Sequence, residues 1–255
     1  MRIDLNSDVG ESFGAWTMGH DELLMPSLTS ANVACGFHAG DPGVMRQTVR
    51  LARTHGVAVG AHPGFPDLGG FGRREMRCSP QEVEDLVLYQ VGALAAIANA
   101  EGVRLQHVKA HGALYNMACR DQALADAIAR ATAAVDPSLM LFGLPGSKLL
   151  EAGRVHGLRV AAEGFADRAY NADGSLVSRS LAGSVIHDEA RVVARTLQMA
   201  RDGTVATVDG GVIRLDVETV CVHGDTRGAA QLAAAIRRAL ETEGVGVNAI
   251  GAQPK

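Results

Sequence analysis

The first indication of the fold comes from ten residues, His107-Val108-Lys109-Ala110-His111-Gly112-Ala113-Leu114-Tyr115-Asn116. Their first half is predicted to end a short buried strand that follows Val103-Arg104-Leu105. Alternate side chains of a strand share a face, so Lys109 and His111 are predicted to point the same way. Gly112 is predicted to break the strand. A lysine and a histidine aimed together from the carboxyl end of a strand suit proton transfer or the stabilisation of an oxyanion.

Polar side chains at the carboxyl ends of short strands recur along the chain. This recurrence favours a chemical role for Lys109 and His111 over a solvated strand end. Short apolar strands alternate with amphipathic helices, as is typical of a parallel sheet covered by helices. Further strands are predicted over residues 2–6, 30–34, 57–61, 139–144, 159–162 and 217–222. A chain of 255 residues fits a closed barrel better than an open sheet. We therefore predict a single irregular β/α (TIM-like) barrel domain over residues 1–255, with about seven or eight barrel strands.

Capping residues predict where several helices start. Asp41 precedes Pro42, and Ser79 precedes Pro80, which are the serine- or aspartate-cap and proline-first patterns of a helix start. A further helix is predicted to begin at Asp188. Between two late strands, residues 209–211 (Asp-Gly-Gly) predict a hairpin turn.

The composition restricts the class of protein. A net charge of -4 gives no reason to expect nucleic acid or an anionic membrane as a partner, and aromatic residues at 4% leave little surface for stacking bases. No apolar run of transmembrane length and no signal peptide are recognised, so the chain is predicted to be cytoplasmic. The four cysteines lack CxxC spacing, so neither a disulfide framework nor a cysteine zinc site is predicted.

Polar side chains collect where the predicted strands end. In a β/α barrel these ends converge on one face, which carries the active site. The residues predicted to lie there are Asp8, Glu11, His38, His62, Lys109, His111, Glu163, His223 and Asp225. We assign acid, base or charge-stabilising roles to five of them, namely Asp8, His62, Lys109, His111 and Glu163. The other four are candidates for substrate binding.

The sequence leaves open whether the chain binds a metal ion. Asp8, His38 and His62 have the ligand types of a three-ligand catalytic site. No HxxxH or HxH spacing supports such a site, and ligand type without geometry is weak evidence for a metal.

Cationic and glycine-rich segments suggest how a substrate would be held. Arg73, Arg168 and Arg179 are candidates to clamp a carboxylate or phosphate, although each alone also fits a solvated surface charge. Residues 64–72 form a long glycine-rich loop that is predicted to close over a bound ligand. Residues 145–148 (Pro-Gly-Ser-Lys) fail the GxxxxGK[ST] pattern of a phosphate loop and are interpreted as a helix cap.

Six motifs in order make the chain resemble the LamB/YcsF family. They span Asp4–Glu11, Ser30–Asp41, Gly60–Asp67, Val108–Asn116, Glu163–Arg168 and Cys221–Asp225, so the resemblance covers nearly the whole chain. It implies an irregular β/α barrel related to sugar deacetylases. It also implies a subunit of an ATP-hydrolysing 5-oxoprolinase, which opens 5-oxoproline (pyroglutamate) to glutamate together with two partner subunits. ATP with Mg²⁺ is the implied cofactor. Because no phosphate loop is recognised, we expect ATP to bind on the partners, unless this barrel binds it through an unfamiliar loop.

Two alternatives compete with the lactam-opening subunit. One is a metal-dependent deacetylase or amidohydrolase that acts alone through Asp8, His38 and His62. The other is a carrier subunit that holds substrate without catalysing its conversion. The resemblance does not assign steps to residues, so the roles above follow from the strand ends alone.

Overall fold

Seven parallel strands form the centre of the computed structural model, which describes residues 1–224 and 228–251. They are Arg2–Val9 (β1), Ser30–Ala34 (β2), Ala58–His62 (β3), Leu105–Val108 (β4), Met140–Gly143 (β5), Arg159–Phe165 (β6) and Thr219–Cys221 (β9). The order is β1-β2-β3-β4-β5-β6-β9, and β9 pairs back onto β1 to close a barrel. The predicted irregular β/α barrel is therefore confirmed, with seven strands.

Eight helices lie in the described part of the chain. They are Asp21–Leu24 (α1), Pro42–His55 (α2), Pro80–Ala100 (α3), Gly112–Ala118 (α4), Gln122–Val135 (α5), Lys148–Val155 (α6), Glu189–Asp202 (α7) and Ala229–Thr242 (α8). The predicted caps are confirmed: Asp41, Ser79 and Asp188 each accept hydrogen bonds from backbone amides of the first turn. Helices α1 and α4 were not predicted, because helices of one or two turns are too short to show periodicity.

Smaller elements lie outside the barrel. The predicted hairpin is confirmed as antiparallel strands Thr204–Ala206 (β7) and Val212–Arg214 (β8). A two-residue strand, Gly246–Val247 (β10), extends the sheet beside β1 and was not predicted. Short 3-10 turns cover residues 25–27 and 68–70.

Helix α3 is long and apolar enough to cross a membrane by length and composition, contrary to the expectation that no such run exists. Its buried residues form one stripe, and the helix packs against α2 and α5. The stripe consists of Val83, Val87, Gln90, Val91, Leu94 and Ala98. A single apolar stripe turned toward neighbouring helices is the pattern of a core helix, and we assign α3 to the core.

The barrel interior is polar where β1 meets β9. The Asp4 carboxylate accepts hydrogen bonds from the hydroxyls of Thr29, Ser30 and Thr219. Thr219 in turn accepts a hydrogen bond of 2.6 Å from Asn6 Nδ2. Burial raises the pKa of Asp4 above its ordinary value, although these hydroxyl bonds oppose the shift. This network joins the first strand of the barrel to the last.

Replacing Thr219 by valine tests how much the network contributes. The two side chains have nearly the same shape, but valine removes the hydroxyl that donates to the buried Asp4 Oδ2. It also removes one of the two acceptors of the Asn6 amide, which keeps Glu163. We expect the free energy of unfolding to fall by about 1–3 kcal/mol, measured by urea denaturation. Thr132→Val is the matched control, because the buried Thr132 hydroxyl only donates to the Ile128 carbonyl of its own helix. Equal stability of the two variants would contradict the expectation.

Candidate active site

A narrow inner pocket of about 40 Å³ lies at the carboxyl ends of the barrel strands. It opens into an outer pocket of about 560 Å³, and Arg73, Arg168 and Arg179 line both. The inner pocket brings together six of the side chains predicted to lie at the strand ends, namely Asp8, Glu11, His62, Lys109, His111 and His223. The three arginines that were candidates to clamp an anion also line it. Of the predicted residues within the described ranges, His38 and Glu163 do not line this pocket. Asp225 lies outside the described residues.

Lys109 lies at the floor of the inner pocket and is 2% exposed. Its Nζ donates to Asp8 Oδ1 at 2.9 Å and lies 3.0 Å from Glu163 Oε1 and 3.0 Å from Cys221 Sγ. Burial alone lowers the pKa of Lys109, but Asp8, Cys221 and Glu163 outweigh it and raise the pKa well above its ordinary value. The side chain is therefore a buried ammonium group.

Glu163 does not lie at a strand exit, where it was predicted to be. Strand β6 continues to Phe165, so Glu163 sits inside the strand in register with Thr219. Its side chain is fully buried within the barrel beneath Lys109. The expectation was wrong because β6 was predicted to end at Ala162. A catalytic role for Glu163 stays a prediction, and its position is that of a counter-ion to Lys109.

Asp8 lines the inner pocket as predicted and stands beside Lys109. It lies inside β1, however, because this strand continues to Val9 and does not end at Asn6 as predicted. Its Oδ1 also accepts a hydrogen bond of 2.8 Å from Asn32 Nδ2, and its Oδ2 lies 3.4 Å from His62 Nε2. Burial raises the pKa of Asp8, but the attraction of His62 and Lys109 prevails and holds it well below the ordinary value. A carboxylate fixed in the ionised state next to an ammonium group can accept a proton or a hydrogen bond from a substrate.

Three histidines and one glutamate form a cluster at one side of the pocket. His62 Nε2 lies 2.9 Å from His111 Nδ1, and the His38 ring stacks on the His111 ring at 3.8 Å. Glu11 Oε1 lies 4.0 Å from His38 Nε2. The potential ligand atoms of these four residues lie within 4.8 Å of one another. Burial lowers the pKa of both His38 and His111 well below the ordinary value, so both rings are neutral.

This grouping differs from the predicted metal set of Asp8, His38 and His62. Asp8 belongs to a neighbouring group with Cys221 and His223. Glu11 and His111 take its place beside the other two histidines. Sequence spacing gave no signal for this set, because its four members follow different strands of the barrel.

His223 is paired with Asp167, a residue that was given no role from the sequence. Its Nδ1 lies 2.8 Å from Asp167 Oδ1, and its ring stacks on Phe165 at 5.7 Å. Burial raises the pKa of Asp167, but His223 outweighs it, so the pKa lies below the ordinary value. Asp167 orients the His223 ring toward the pocket. Its place just after β6, within a motif already singled out, was the signal that could have found it.

Tyr115 is the second site residue that was missed. It lies on α4, the short helix that the sequence did not reveal. Burial raises the pKa of its hydroxyl well above the ordinary value, so the phenol stays neutral and can donate a hydrogen bond into the pocket.

The three arginines are not equivalent. Arg168 is buried, and its Nε and Nη2 donate to the carbonyls of Ser184 and Val177 at 3.2 and 2.5 Å. Burial and the nearby Arg179 lower the pKa of Arg168 to about 10. Arg168 therefore holds the polar segment around the outer pocket in place. Arg73 packs its guanidinium over the Phe71 ring at 4.9 Å.

The glycine-rich loop of residues 64–72 packs directly over the histidine cluster. The Phe71 carbonyl lies 2.8 Å from His111 Nε2, and Phe65 is fully buried. This loop forms a wall of the site, and closure over a ligand stays a prediction.

Known proteins resemble this chain along nearly its whole length. The profile of the LamB/YcsF family matches residues 3–255. The A subunit of 5-oxoprolinase from Bordetella pertussis is 57% identical over 97% of this chain and 98% of its own length. That from Symbiobacterium thermophilum is 58% identical over 98% of this chain and 96% of its own length. A crystal structure of a lactam utilization protein from Thermus thermophilus is 53% identical, with a TM-score of 0.93 over 98% of this chain and 100% of that one.

Proposed function

This chain belongs to the LamB/YcsF family, and we propose that it is the subunit of a 5-oxoprolinase that holds the lactam of 5-oxoproline while the ring is opened. The observation that carries this proposal is the buried pair of Asp8 and Lys109 at the floor of the inner pocket. A lactam presents one carbonyl oxygen and one N–H group side by side. Lys109 can donate to that oxygen, and Asp8 can accept from the N–H group or from an attacking water.

The inner pocket is too small for a whole amino-acid derivative, since about 40 Å³ holds only a few water-sized groups. The reacting amide therefore enters the inner pocket, and the rest of the molecule occupies the outer pocket. Arg73 and Arg179 line both pockets and are suited to pair with the substrate's carboxylate. Arg168 supports the surrounding segment through its backbone contacts.

The chemical steps follow from the stability of an amide. ATP transfers a phosphoryl group to the lactam oxygen, which makes the ring carbon a better electrophile. Water adds to that carbon, the ring C–N bond breaks, and the nitrogen takes a proton. A second water releases phosphate and leaves glutamate. Asp8 or His62 acts as the base toward water, and Lys109 stabilises the negative charge that develops on oxygen.

ATP and Mg²⁺ are proposed to bind on two partner subunits. We interpret the segment 145–148 as a helix cap, because Ser147 caps α6 and Lys148 Nζ pairs with Glu151 at 2.8 Å. The glycine-rich loop of residues 64–72 is neither GxGxxG nor GxxxxGK[ST]. The similar proteins from Bordetella pertussis and Symbiobacterium thermophilum are each one subunit of a 5-oxoprolinase, which supports a complex with further subunits here.

The test measures release of glutamate and ADP from 5-oxoproline by this chain alone, by the two partners alone, and by all three. We expect turnover only with all three proteins and ATP. Omitting ATP from the full set is the control for simple hydrolysis.

Two outcomes would contradict the proposal. Equal rates with and without this chain would remove it from the reaction. Hydrolysis by this chain without ATP or partners would instead favour the metal-dependent amidohydrolase acting alone.

A further inference from the structure

The lactam ring of the proposed substrate has a polar side and an apolar side. Its amide group needs hydrogen bonds, whereas its two ring methylene groups gain from contact with apolar side chains when water leaves them. The proposed function places the amide at Lys109 and Asp8 in the inner pocket. The methylenes then lie where this pocket opens into the outer one. The side chains at that junction decide which rings the site accepts.

Leu176 stands at the junction of the two pockets. Among the described residues that line both pockets, it is the one with an aliphatic side chain. The others are Arg73, Gly112, Asn116, Arg168 and Arg179. They offer polar side chains or, at the glycine, none. Leu176 is half-buried and packs against the hydrophobic core, so its side chain has a fixed place at this junction.

Phe165 supplies a second apolar surface, inside the inner pocket. Its ring is buried and meets the Tyr115 ring edge to face, with 5.8 Å between the centroids. Lys109 Nζ lies 5.2 Å from the centroid of the Phe165 ring. An apolar surface therefore lies directly beside the ammonium group that is proposed to hold the lactam oxygen.

One buried residue, Tyr170, fixes both apolar surfaces. Its hydroxyl accepts a hydrogen bond of 2.8 Å from the backbone N–H of Phe165. Its backbone pairs with that of Leu176 in a short antiparallel bridge. The Tyr170 ring is fully buried, and the Arg195 guanidinium packs over it at 5.8 Å. The space between Leu176 and Phe165 is therefore set by the protein core and cannot widen without disturbing buried contacts.

We propose that Leu176 is a specificity-determining residue, which together with Phe165 contacts the ring methylenes and limits the site to five-membered lactams. This inference rests on the proposed function. A ring with one more methylene would have to displace Leu176 or draw its amide away from Lys109 and Asp8. One methylene in an apolar pocket changes kcat/KM by about 10–200-fold. The complex should prefer 5-oxoproline to the homologous six-membered lactam by about that factor.

The test compares kcat/KM for the two lactams, each with its carboxylate next to the ring nitrogen, in the complex with its partners and ATP. Leu176→Ala opens the junction and should lower the preference for the five-membered ring by about tenfold or more. Leu88→Ala is the matched control, because Leu88 lies on the outer face of α3, 41% exposed, and lines neither pocket. It should keep the wild-type preference.

The ratio of the two kcat/KM values is the quantity that decides, because general damage to the structure lowers both values alike. Should Leu176→Ala fail to fold, Leu176→Val takes its place. This variant removes one methylene and should lower the preference by about fourfold.

Three results would overturn the proposal. They are an unchanged preference in the Leu176 variant that folds, an equal shift in Leu88→Ala, and a wild-type complex that converts both lactams equally well. A wild-type complex that releases no glutamate from 5-oxoproline would instead refute the proposed function, and this inference with it. The two kinds of failure are therefore distinguishable.

Discussion

Replacing Lys109 by methionine is expected to abolish 5-oxoproline turnover in the reconstituted complex and to lower the free energy of unfolding by about 3–5 kcal/mol. The loss of turnover follows because no other cation lies at the pocket floor among the described residues. The loss of stability follows because Asp8 and Glu163 would remain as buried carboxylates without their common partner. A side chain at the exit of a strand is ordinarily dispensable for the core, but the burial of Lys109 between two carboxylates makes the fold depend on it.

A second substitution separates the two effects of Lys109→Met. Adding Glu163→Gln removes one of the two unpaired charges, so the double variant should regain part of the lost stability but none of the turnover. Lys148→Met is the matched control, because Lys148 pairs with Glu151 at the surface. Unfolding is measured by urea denaturation and turnover by glutamate release. Normal turnover in Lys109→Met would remove Lys109 from the mechanism, and normal stability would show that the ion pairs contribute nothing.

Asp8→Asn is expected to lower turnover by about a hundredfold or more while the fold is kept. Asparagine has the same shape, and its Oδ1 can still accept from Asn32 and Lys109. It cannot take a proton from water. Asp126→Asn, outside the pocket, is the control and should keep normal turnover. If Asp8→Asn also turned over normally, another residue would have to be the base.

The same variant makes a prediction about acid stability. The folded-state pKa of Asp8 lies below its unfolded value of about 3.9, so the ionised side chain stabilises the fold above about pH 4. That contribution is lost as the pH falls further toward the folded-state pKa. The Asp8→Asn protein lacks the contribution and should lose stability less steeply than wild type as the pH falls below about 4. Parallel curves for the two proteins would show that Asp8 is not held ionised by its neighbours.

Four of the residues that were correctly predicted to reach the inner pocket owe their positions to strand parity. Lys109 and His111 alternate along one segment, and both reach the inner pocket as expected. Asp8 and His62 reach it by the same rule applied to β1 and β3. Barrel geometry carries such side chains to one face whatever the details of packing.

The predicted positions of site residues were wrong or missing where they depend on the length of a strand or helix, or on a contact between distant parts of the chain. Glu163 was misplaced because β6 continues to Phe165, beyond the end that its apolar pattern suggested. Asp167 and Tyr115 depend on a contact across the barrel mouth and on a short helix, neither of which leaves a periodic signal. The grouping of Glu11 with three histidines depends on how loops fold over the strands, which spacing along the chain does not encode.

Closure of the barrel has a consequence for how the chain is made. Asp4 pairs in register with Thr219, and 215 residues separate them along the chain. During synthesis β1 leaves the ribosome first, while β9, the strand that pairs with its free edge, is among the last to emerge. A nascent chain therefore carries an open strand edge for most of its synthesis, and such edges invite pairing with other chains.

This unpaired edge belongs to β1, whose inward-facing side chains include Asp4 and Asn6. Inward-pointing polar groups are one means by which proteins keep an open strand from joining the wrong partner. Contacts between distant parts of a chain also form slowly, so this protection has to last. The polar side chains that join β1 to β9 in the finished barrel are therefore expected to keep the unfinished one from aggregating.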